Sequence, residues 1–268
     1  YSFNMNRKGI TYLVRLIWAG ALLLVLPCLV RAEDLRNSAD SIVGIINSNA
    51  HDSIKANALI ELANVYHVSN PDTMVSLCEH ALGIIDVLKE SATVKELVDL
   101  ERMQSDGLNN MGYYHMSSGN SAIALDLFTQ ALEISHRIKA KIKEAQILNN
   151  IAVIHYNYGE IEKALEAFGQ SLLLKEKLDN KSGMAMSMLN MAVVYKLQGE
   201  YEKAEEYWKR TIPLWEELDD RKGLGNVYNN LGVLYQDIDQ YELANENIRK
   251  GMKYWMEIDF KEGIAQSY

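Results

Sequence analysis

The most restrictive feature of this chain is a 40-residue period that runs through most of its length. Such a period repeats one structural unit, and neighbouring copies bury a shared core because one unit cannot cover its own apolar face. Six columns recur: an asparagine, a small residue, a ring-bearing residue, a turn residue, an alanine and a bulky apolar residue. In that order their members are Asn110, Asn150, Asn190 and Asn230; Gly112, Ala152, Ala192 and Gly232; His115, His155, Tyr195 and Tyr235; Gly119, Gly159, Gly199 and Asp239; Ala124, Ala164, Ala204 and Ala244; Phe128, Phe168, Trp208 and Ile248.

The columns predict that each unit is a pair of antiparallel helices. Small residues let two helices approach closely, bulky residues fill the space beside them, and the glycine column makes the turn. Asn70-Pro71 and the capping box Thr93–Glu96 are typical of helix starts. A recurring Leu/Ile-Asp-x-x-x-Gly string marks the joints between units. We therefore predict helix pairs at about 52–89, 94–138, 141–178, 181–218 and 221–258.

The pattern resembles the tetratricopeptide repeat, on the match of Leu231-Gly232, Tyr235, Ala244 and Ile248 to its columns. The 40-residue unit is most similar to the long-repeat branch, which includes kinesin light chains and Leu-Gly-Asn repeat proteins. The resemblance implies an all-α, right-handed superhelical solenoid of antiparallel helix pairs, with the first helices lining a concave wall. We assign 33–50 to a leading helix and 51–268 to the array. Tyr268 repeats the column of Tyr228, so we expect a truncated sixth unit and further chain beyond it.

The first 32 residues differ in charge from the rest, because they hold four basic residues and no acidic one. The whole chain has 27 basic and 36 acidic residues and a net charge of −9, so residues 33–268 carry −13. Leu16–Val30 is an apolar stretch shorter than the roughly 20 residues that a membrane span needs. We interpret 1–32 as a secretory signal peptide cleaved after Ala32, with an uncleaved anchor and a buried core helix as alternatives. The first two imply export to the periplasm or another extracytoplasmic space.

The family resemblance implies that the asparagine column faces the groove and forms a ladder that binds the backbone of an extended peptide. The alternative is that each amide bonds to a neighbouring helix and only stabilises the stacking of units. The principal candidates are Asn110, Asn150, Asn190 and Asn230, and the secondary groove candidates are Asn109, Asn149, Asn229, Tyr113, Tyr156, Lys196 and Gln236.

The sequence gives little support for other classes of function. An acidic chain without a cluster of Lys and Arg is a poor nucleic-acid binder. We find no nucleophile–base set and no metal or phosphate motif, so we expect neither an enzyme nor a cofactor or metal. We read His115 and His155 as packing residues and Cys78 as a buried, inert thiol.

We therefore expect an exported module that binds a peptide or protein. By family analogy it would be the extracytoplasmic sensor of a larger bacterial signalling protein, with a histidine kinase, nucleotide cyclase or DNA-binding regulator as output. A free-standing periplasmic assembly scaffold is the alternative. In either case we expect contact with a membrane only through the N-terminal segment or a missing C-terminal segment.

Overall fold

A computed structural model describes residues 39–67 and 69–266, so the predicted signal peptide at 1–32 and the column of Tyr268 lie outside the described residues. The described part of the chain contains twelve helices and no strand. Within it, no helix combines the length and the apolar character that crossing a membrane requires. The helices are α1 (39–46), α2 (Asp52–Tyr66), α3 (Pro71–Lys89), α4 (Val94–Ser117), α5 (Ser121–Arg137), α6 (Lys141–Asn157), α7 (Ile161–Lys177), α8 (Lys181–Leu197), α9 (Tyr201–Glu217), α10 (Arg221–Asp237), α11 (Tyr241–Glu257) and α12 (Lys261–Gln266).

Consecutive helices pack as pairs, from α2 with α3 to α10 with α11. The second helix of each pair also packs on the first helix of the next pair, and α4 contacts both α2 and α6 along the line of first helices. The outer bounds of the pairs agree with the predicted pairs to within one residue. The predicted all-α solenoid of helix pairs is therefore confirmed.

From α4 to α12, two kinds of three-residue turn join the helices, and both use left-handed backbone. Within units, Gly119, Gly159 and Gly199 have φ of 79°, 74° and 76°. Between units, Asp179 and Asp219 each have φ of 50°. Glycine adopts this conformation freely, and aspartate tolerates it better than most residues. The recurrent Asp of the joint string therefore follows the ends of α7, α9 and α11, and Lys139 takes the same conformation after α5 with φ of 58°.

The predicted helix starts are confirmed by their hydrogen bonds. The Thr93 backbone N–H donates to the Glu96 carboxylate at 2.9 Å, and the Glu96 N–H donates to Thr93 Oγ1 at 3.4 Å. The Asn70 side chain accepts from the Thr73 N–H at 3.2 Å. At the joints, Asp220 accepts from the Gly223 N–H at 2.8 Å. These bonds satisfy backbone donors that a helix leaves free at its first turn.

The core lies between the two helices of each unit and between neighbouring units. Phe128, Phe168 and Trp208 are almost fully buried, and they pack beside small residues of the facing helix. A Cβ at Gly112 would lie 2.7 Å from the Phe128 ring, which explains why this position holds glycine. Cys78 is a free thiol in the core, and burial raises its pKa to about 12, as expected of an inert cysteine.

A further buried column lies at the joint between units. It consists of Ser135, Lys175, Trp215 and Trp255, each near the end of a second helix. The Lys175 ammonium donates to Ser187 Oγ at 2.8 Å, and no carboxylate pairs with it in the described part of the chain. Removal from water lowers the pKa of Lys175 from its ordinary value of 10.5 to about 8. This lysine therefore carries an unneutralised charge between two repeats.

Replacement of that charge should stabilise the protein. Lys175→Met keeps the aliphatic stem, and we expect it to raise the free energy of unfolding by about 2 kcal/mol at pH 7. The folded state loses the Lys175 proton near pH 8 and the unfolded state near pH 10.5. The cost of the charge is thus complete below pH 8 and disappears as the pH rises to 10.5. Urea unfolding at several pH values measures the difference.

The matched control is Lys253→Met, because Lys253 is an exposed lysine on α11. It should change stability by less than about 0.5 kcal/mol throughout the range. The buried-charge interpretation would be contradicted if the free energies of unfolding of Lys175→Met and the native protein differed by a constant amount from pH 7 to pH 10.5.

Candidate functional site

The asparagines of the first helices form hydrogen bonds with each other across the joints between units. The Asn150 amide on α6 donates from Nδ2 to Asn109 Oδ1 on α4 at 3.1 Å. The Asn190 amide on α8 donates to Asn149 Oδ1 on α6 at 3.2 Å. Each bond joins residues 41 positions apart. The first asparagine of an Asn-Asn pair bonds to the following unit, and the second asparagine bonds to the preceding unit. Part of the amide ladder thus links units to one another.

The same ladder extends backwards to a residue that the repeat pattern does not identify. Asn110 on α4 donates to Asn64 Oδ1 on α2 at 2.8 Å. In the first unit Glu61 stands in the asparagine column and accepts from Asn57, and Asn64 lies three residues further along α2. Asn110 is only 6% exposed, so its side chain has little surface for a ligand. The geometry therefore favours the packing interpretation for Asn110.

The ladder stops between α8 and α10. Leu189 stands where Asn109 and Asn149 stand in earlier units, and it offers no acceptor to Asn230. The structure gives no side-chain hydrogen bond to Asn226, Asn229 or Asn230 within the described residues. All three are half-buried. They line a groove of about 280 Å³, whose complete lining is Met186, Leu189, Asn190, Val193, Asn226, Asn229, Asn230 and Trp255. We call this the amide groove.

The remaining groove candidates have different surroundings. The Tyr113 ring lies 4.2 Å from the His67 ring, and Tyr156 packs against the core of its unit. Lys196 forms an ion pair with Asp237 of the next unit at 2.8 Å, so its charge is neutralised. Gln236 is exposed. Of the predicted residues, the structure therefore brings Asn190, Asn229 and Asn230 together in one groove, while these four side chains lie apart from its lining.

A second concavity, of about 570 Å³, lies at the N-terminal end of the array. The joint is longer there, and α4 has 24 residues compared with 17 in α6, α8 and α10. The lining includes the acidic Glu61, Glu96 and Asp99 together with Arg102. Among the described residues, no group of three or more His, Cys, Asp or Glu side chains could hold a metal ion.

The hydrogen bonds between asparagines of neighbouring units lead to a prediction about stability. Asn150→Ala removes a hydrogen bond between units, and we expect it to lower the free energy of unfolding by about 1 kcal/mol. Asn230→Ala removes an amide without a protein partner, so its effect should stay within about 0.5 kcal/mol. Parallel urea titrations of the two variants measure the contrast. Equal losses of stability would show that the Asn150 bond contributes nothing to the stacking of units.

A row of two-helix units, each packed on the next, is the architecture of a helical-repeat protein. A family model described as the tetratricopeptide repeat matches residues 104–177 and 183–254. These matches cover more than half of the sequence, and the chain belongs to the tetratricopeptide repeat family. A comparison with curated proteins found no match.

Solved structures with the same architecture include BtubC (BKLC) from P. vanneervenii, which is 17% identical with a TM-score of 0.68 over 84% of this chain and 92% of that one. A putative kinesin light chain with nearly identical TPR-like repeats from Podosopora anserina is 15% identical, with a TM-score of 0.59 over 79% of this chain and 99% of that one. The Rap conjugation gene regulator of plasmid pLS20, solved with the Phr* peptide, is 14% identical, with a TM-score of 0.62 over 97% of this chain and 73% of that one. At such identities the similarity shows the fold alone.

Sequence reasoning missed Asn64, Asn226 and Trp255 among the residues around the ladder and the groove. Asn64 lies outside the 40-residue register, and Asn226 replaces the Met186 of the preceding unit. Trp255 lies on a second helix, which the groove prediction did not consider. The one available signal was Leu189, which interrupts the Asn-Asn dipeptide in a single unit.

Proposed function

We propose that this chain is a peptide- or protein-binding module that holds an extended segment along its concave side. The observation that carries the proposal is the amide groove, where Asn226, Asn229 and Asn230 lie together without side-chain hydrogen bonds among the described residues. A carboxamide both donates and accepts, so it matches the N–H and C=O groups of an extended backbone. We propose a binding role without catalysis, because amides and apolar side chains do not transfer protons at neutral pH.

The charge around the groove supports an uncharged segment as ligand. Lys196 is paired with Asp237, and no basic residue lines the amide groove. A ligand recognised through its carboxylates would need arginine or lysine partners. The similarity in fold to the Rap conjugation gene regulator, solved with the Phr* peptide, is consistent with this proposal.

The proposal can be tested by selecting displayed random peptides on the purified full chain. We expect enriched peptides that share an uncharged extended core, with binding confirmed by calorimetry on synthetic copies. The binding should be lost when a proline replaces a residue of the core, because proline removes a backbone donor. If several rounds enrich no peptide, the proposed function is wrong for segments of this size.

We further propose that the module is exported and serves as the extracytoplasmic sensor of a larger bacterial signalling protein. Support for export comes from the basic flanks and the apolar Leu16–Val30 of the N-terminal segment. The sensor role rests on family analogy. A free-standing periplasmic scaffold is the alternative proposal, and it differs in having no output domain.

One measurement tests export, and a second separates the sensor from the scaffold. N-terminal sequencing of the protein made in a bacterial host should find Glu33 as the first residue, in the periplasmic fraction. Intact protein in the cytoplasm would contradict export. In the gene, an apolar segment of about 20 residues after the array, followed by basic residues, would support the sensor. A stop codon after a polar capping helix would support the scaffold.

A further inference from the structure

The first two turns of α4 carry an apolar face past the end of the helix that covers the rest of that face. Lower down, Ser105 and Glu101 form hydrogen bonds with α5, and Arg137 donates to the Glu101 carboxylate at 2.8 Å. Arg137 is the last residue of α5. Val98 and Val94 continue the same face, because residues three, four and seven apart share one side of a helix. The two valines are 46% and 84% exposed, since α5 ends before it reaches them.

These two turns also project from the edge of the array. Glu101 holds the repeat position of Lys141, where α6 begins, and α4 begins seven residues earlier, at Val94. At about 1.5 Å per residue, α4 therefore extends about 10 Å beyond the level at which α6 starts. A projecting helix end can enter the interfacial layer of a lipid bilayer, whereas it offers no groove to a peptide.

Two unpaired lysines flank the valines. Lys95 follows Val94, and Lys139 lies in the turn after α5; both are exposed, and neither forms an ion pair within the described residues. Lys139 has left-handed backbone, at the position where later joints hold Asp179 and Asp219. This joint therefore places a cation where its counterparts place an anion.

The paired cations at this end also face solvent. The side chains of Arg137 and Lys141 are 58% and 42% exposed. Their carboxylate partners, Glu101 and Glu144, are only 10% and 12% exposed. The positive groups thus lie on the outside and the negative groups beneath them.

Exposed carboxylates of α4 lie on its other side. Glu96 and Asp99 line the second concavity, which Val94 and Val98 do not line. Glu96 is bonded to the helix cap at Thr93, and Asp99 is paired with an arginine. The valines are therefore bordered by cations rather than by free anions.

The sequence alone does not show this basic surface. Lys95 stands 44 positions before Lys139, and the packing of α4 on α5 brings the two lysines to one end of the array. The expectation of an acidic chain without a basic cluster holds for residues 33–268 as a whole, which carry a charge of −13. It does not hold for this end.

We call this surface the valine tip; it consists of Val94, Lys95, Val98, Arg137, Lys139 and Lys141. We propose that the valine tip docks on a membrane surface that contains anionic lipids. The valines enter the interfacial layer, and the cations contact the lipid phosphates. The contact is independent of the proposed peptide binding, and it adds to the terminal segments through which the sequence predicts membrane contact.

The first test locates the contact on the full chain. The protein is irradiated with phosphatidylcholine vesicles that contain a photoreactive phosphatidylglycerol, and cross-linked peptides are identified by mass spectrometry. We expect cross-links at 94–98 and 137–141, whether or not the apolar N-terminal segment is also labelled. Cross-links confined to the N-terminal segment, or spread evenly over the array, would overturn the proposal.

The second test reverses the two unpaired charges. Lys95→Glu places an acid in the first turn of a helix, and Lys139→Asp introduces the residue of the later joints, so the double variant should fold. The quantity measured is the affinity for vesicles of equal parts phosphatidylglycerol and phosphatidylcholine, divided by the affinity for phosphatidylcholine vesicles. We expect this ratio to fall at least about tenfold. An unchanged ratio would assign lipid binding to another part of the chain.

The matched control is Arg249→Glu with Lys253→Glu. Both residues are exposed on α11, neither has an ion pair within the described residues, and the change in net charge is the same. The control should leave the ratio within about twofold of the native value. Equal losses in the two double variants would show that net charge governs binding, and the valine tip would not be the contact.

The third test separates a membrane from an acidic polypeptide as the partner. Val94→Ser with Val98→Ser keeps every charge and removes the apolar contact, so we expect about tenfold weaker binding to the anionic vesicles. Poly-glutamate in solution should not displace the native protein from them. Displacement by poly-glutamate, together with unchanged vesicle binding by the valine variant, would make the surface a charge site for acidic polypeptides and overturn the proposal.

Discussion

Trp208→Ala is expected to lower the free energy of unfolding by about 3–5 kcal/mol, the largest effect of any substitution considered for this protein. Trp208 is 1% exposed on α9 and packs in a cluster with Leu231 and Tyr235 of the next unit. Alanine would leave a cavity between two units, which neighbouring helices can close only in part. Urea unfolding followed by far-UV circular dichroism measures the loss.

Trp208→Phe is the matched control. Phe128 and Phe168 fill the same column in earlier units, and the Trp208 indole N–H has no acceptor within the described residues. Phenylalanine therefore loses volume without leaving an unpaired partner, and we expect a cost of about 1 kcal/mol. A loss equal to that of Trp208→Ala would mean that the full indole shape is required.

The Trp208→Ala effect should also be local. Units of a solenoid contact only their neighbours, so a cavity in one unit weakens adjacent interfaces most. Hydrogen exchange should accelerate in α8, α9 and α10 before it changes in α2 and α3. Uniform acceleration along the chain would show that the array unfolds as one cooperative block.

Gly251→Ala should destabilise the protein even though alanine is the better helix former. A Cβ at Gly251 on α11 would lie 2.8 Å from the Gly225 carbonyl oxygen and 3.1 Å from the Asn229 backbone nitrogen on α10. Both obstacles are backbone atoms, so the two helices have to separate. We expect a net loss of about 1–3 kcal/mol, which exceeds the propensity gain of about 1 kcal/mol.

Gly169→Ala is the same substitution inside a helix without an obstacle. Nothing lies within 4 Å of a Cβ at Gly169 on α7, so the substitution changes only the helix propensity, which is higher for alanine than for glycine. We expect a gain of up to about 1 kcal/mol in the free energy of unfolding. Thermal unfolding of the two variants should therefore shift in opposite directions. Stabilisation by Gly251→Ala would mean that α10 and α11 are not in backbone contact.

Much of the fold follows from local signals in the sequence. The period predicts the helix pairs, and glycine or aspartate at fixed places predicts the left-handed turns. The bulky column predicts which rings are buried, as Phe128, Phe168 and Trp208 show. These predictions succeed because helix periodicity, turn preferences and burial patterns depend on residues within one or two units.

The ladder was harder to predict, although its four asparagines are the plainest column in the repeat. The sequence left open whether they bind a ligand or each other. In the structure Asn110, Asn150 and Asn190 each bond to an asparagine of the preceding unit. Asn230 differs because Leu189 faces it, and that difference has meaning only once the two helices are placed side by side.

By itself, the sequence determines a tetratricopeptide solenoid: its unit length, its turns and its buried columns. The tertiary structure decides which amides are used in stacking, that Asn64 begins the ladder, and that the absence of a side chain at Gly225 leaves room for the Trp255 indole. These contacts join side chains 30 to 46 positions apart on different helices. Their geometry depends on how each unit is rotated and spaced against the next, and hydrogen bonds are lost over differences of less than one ångström.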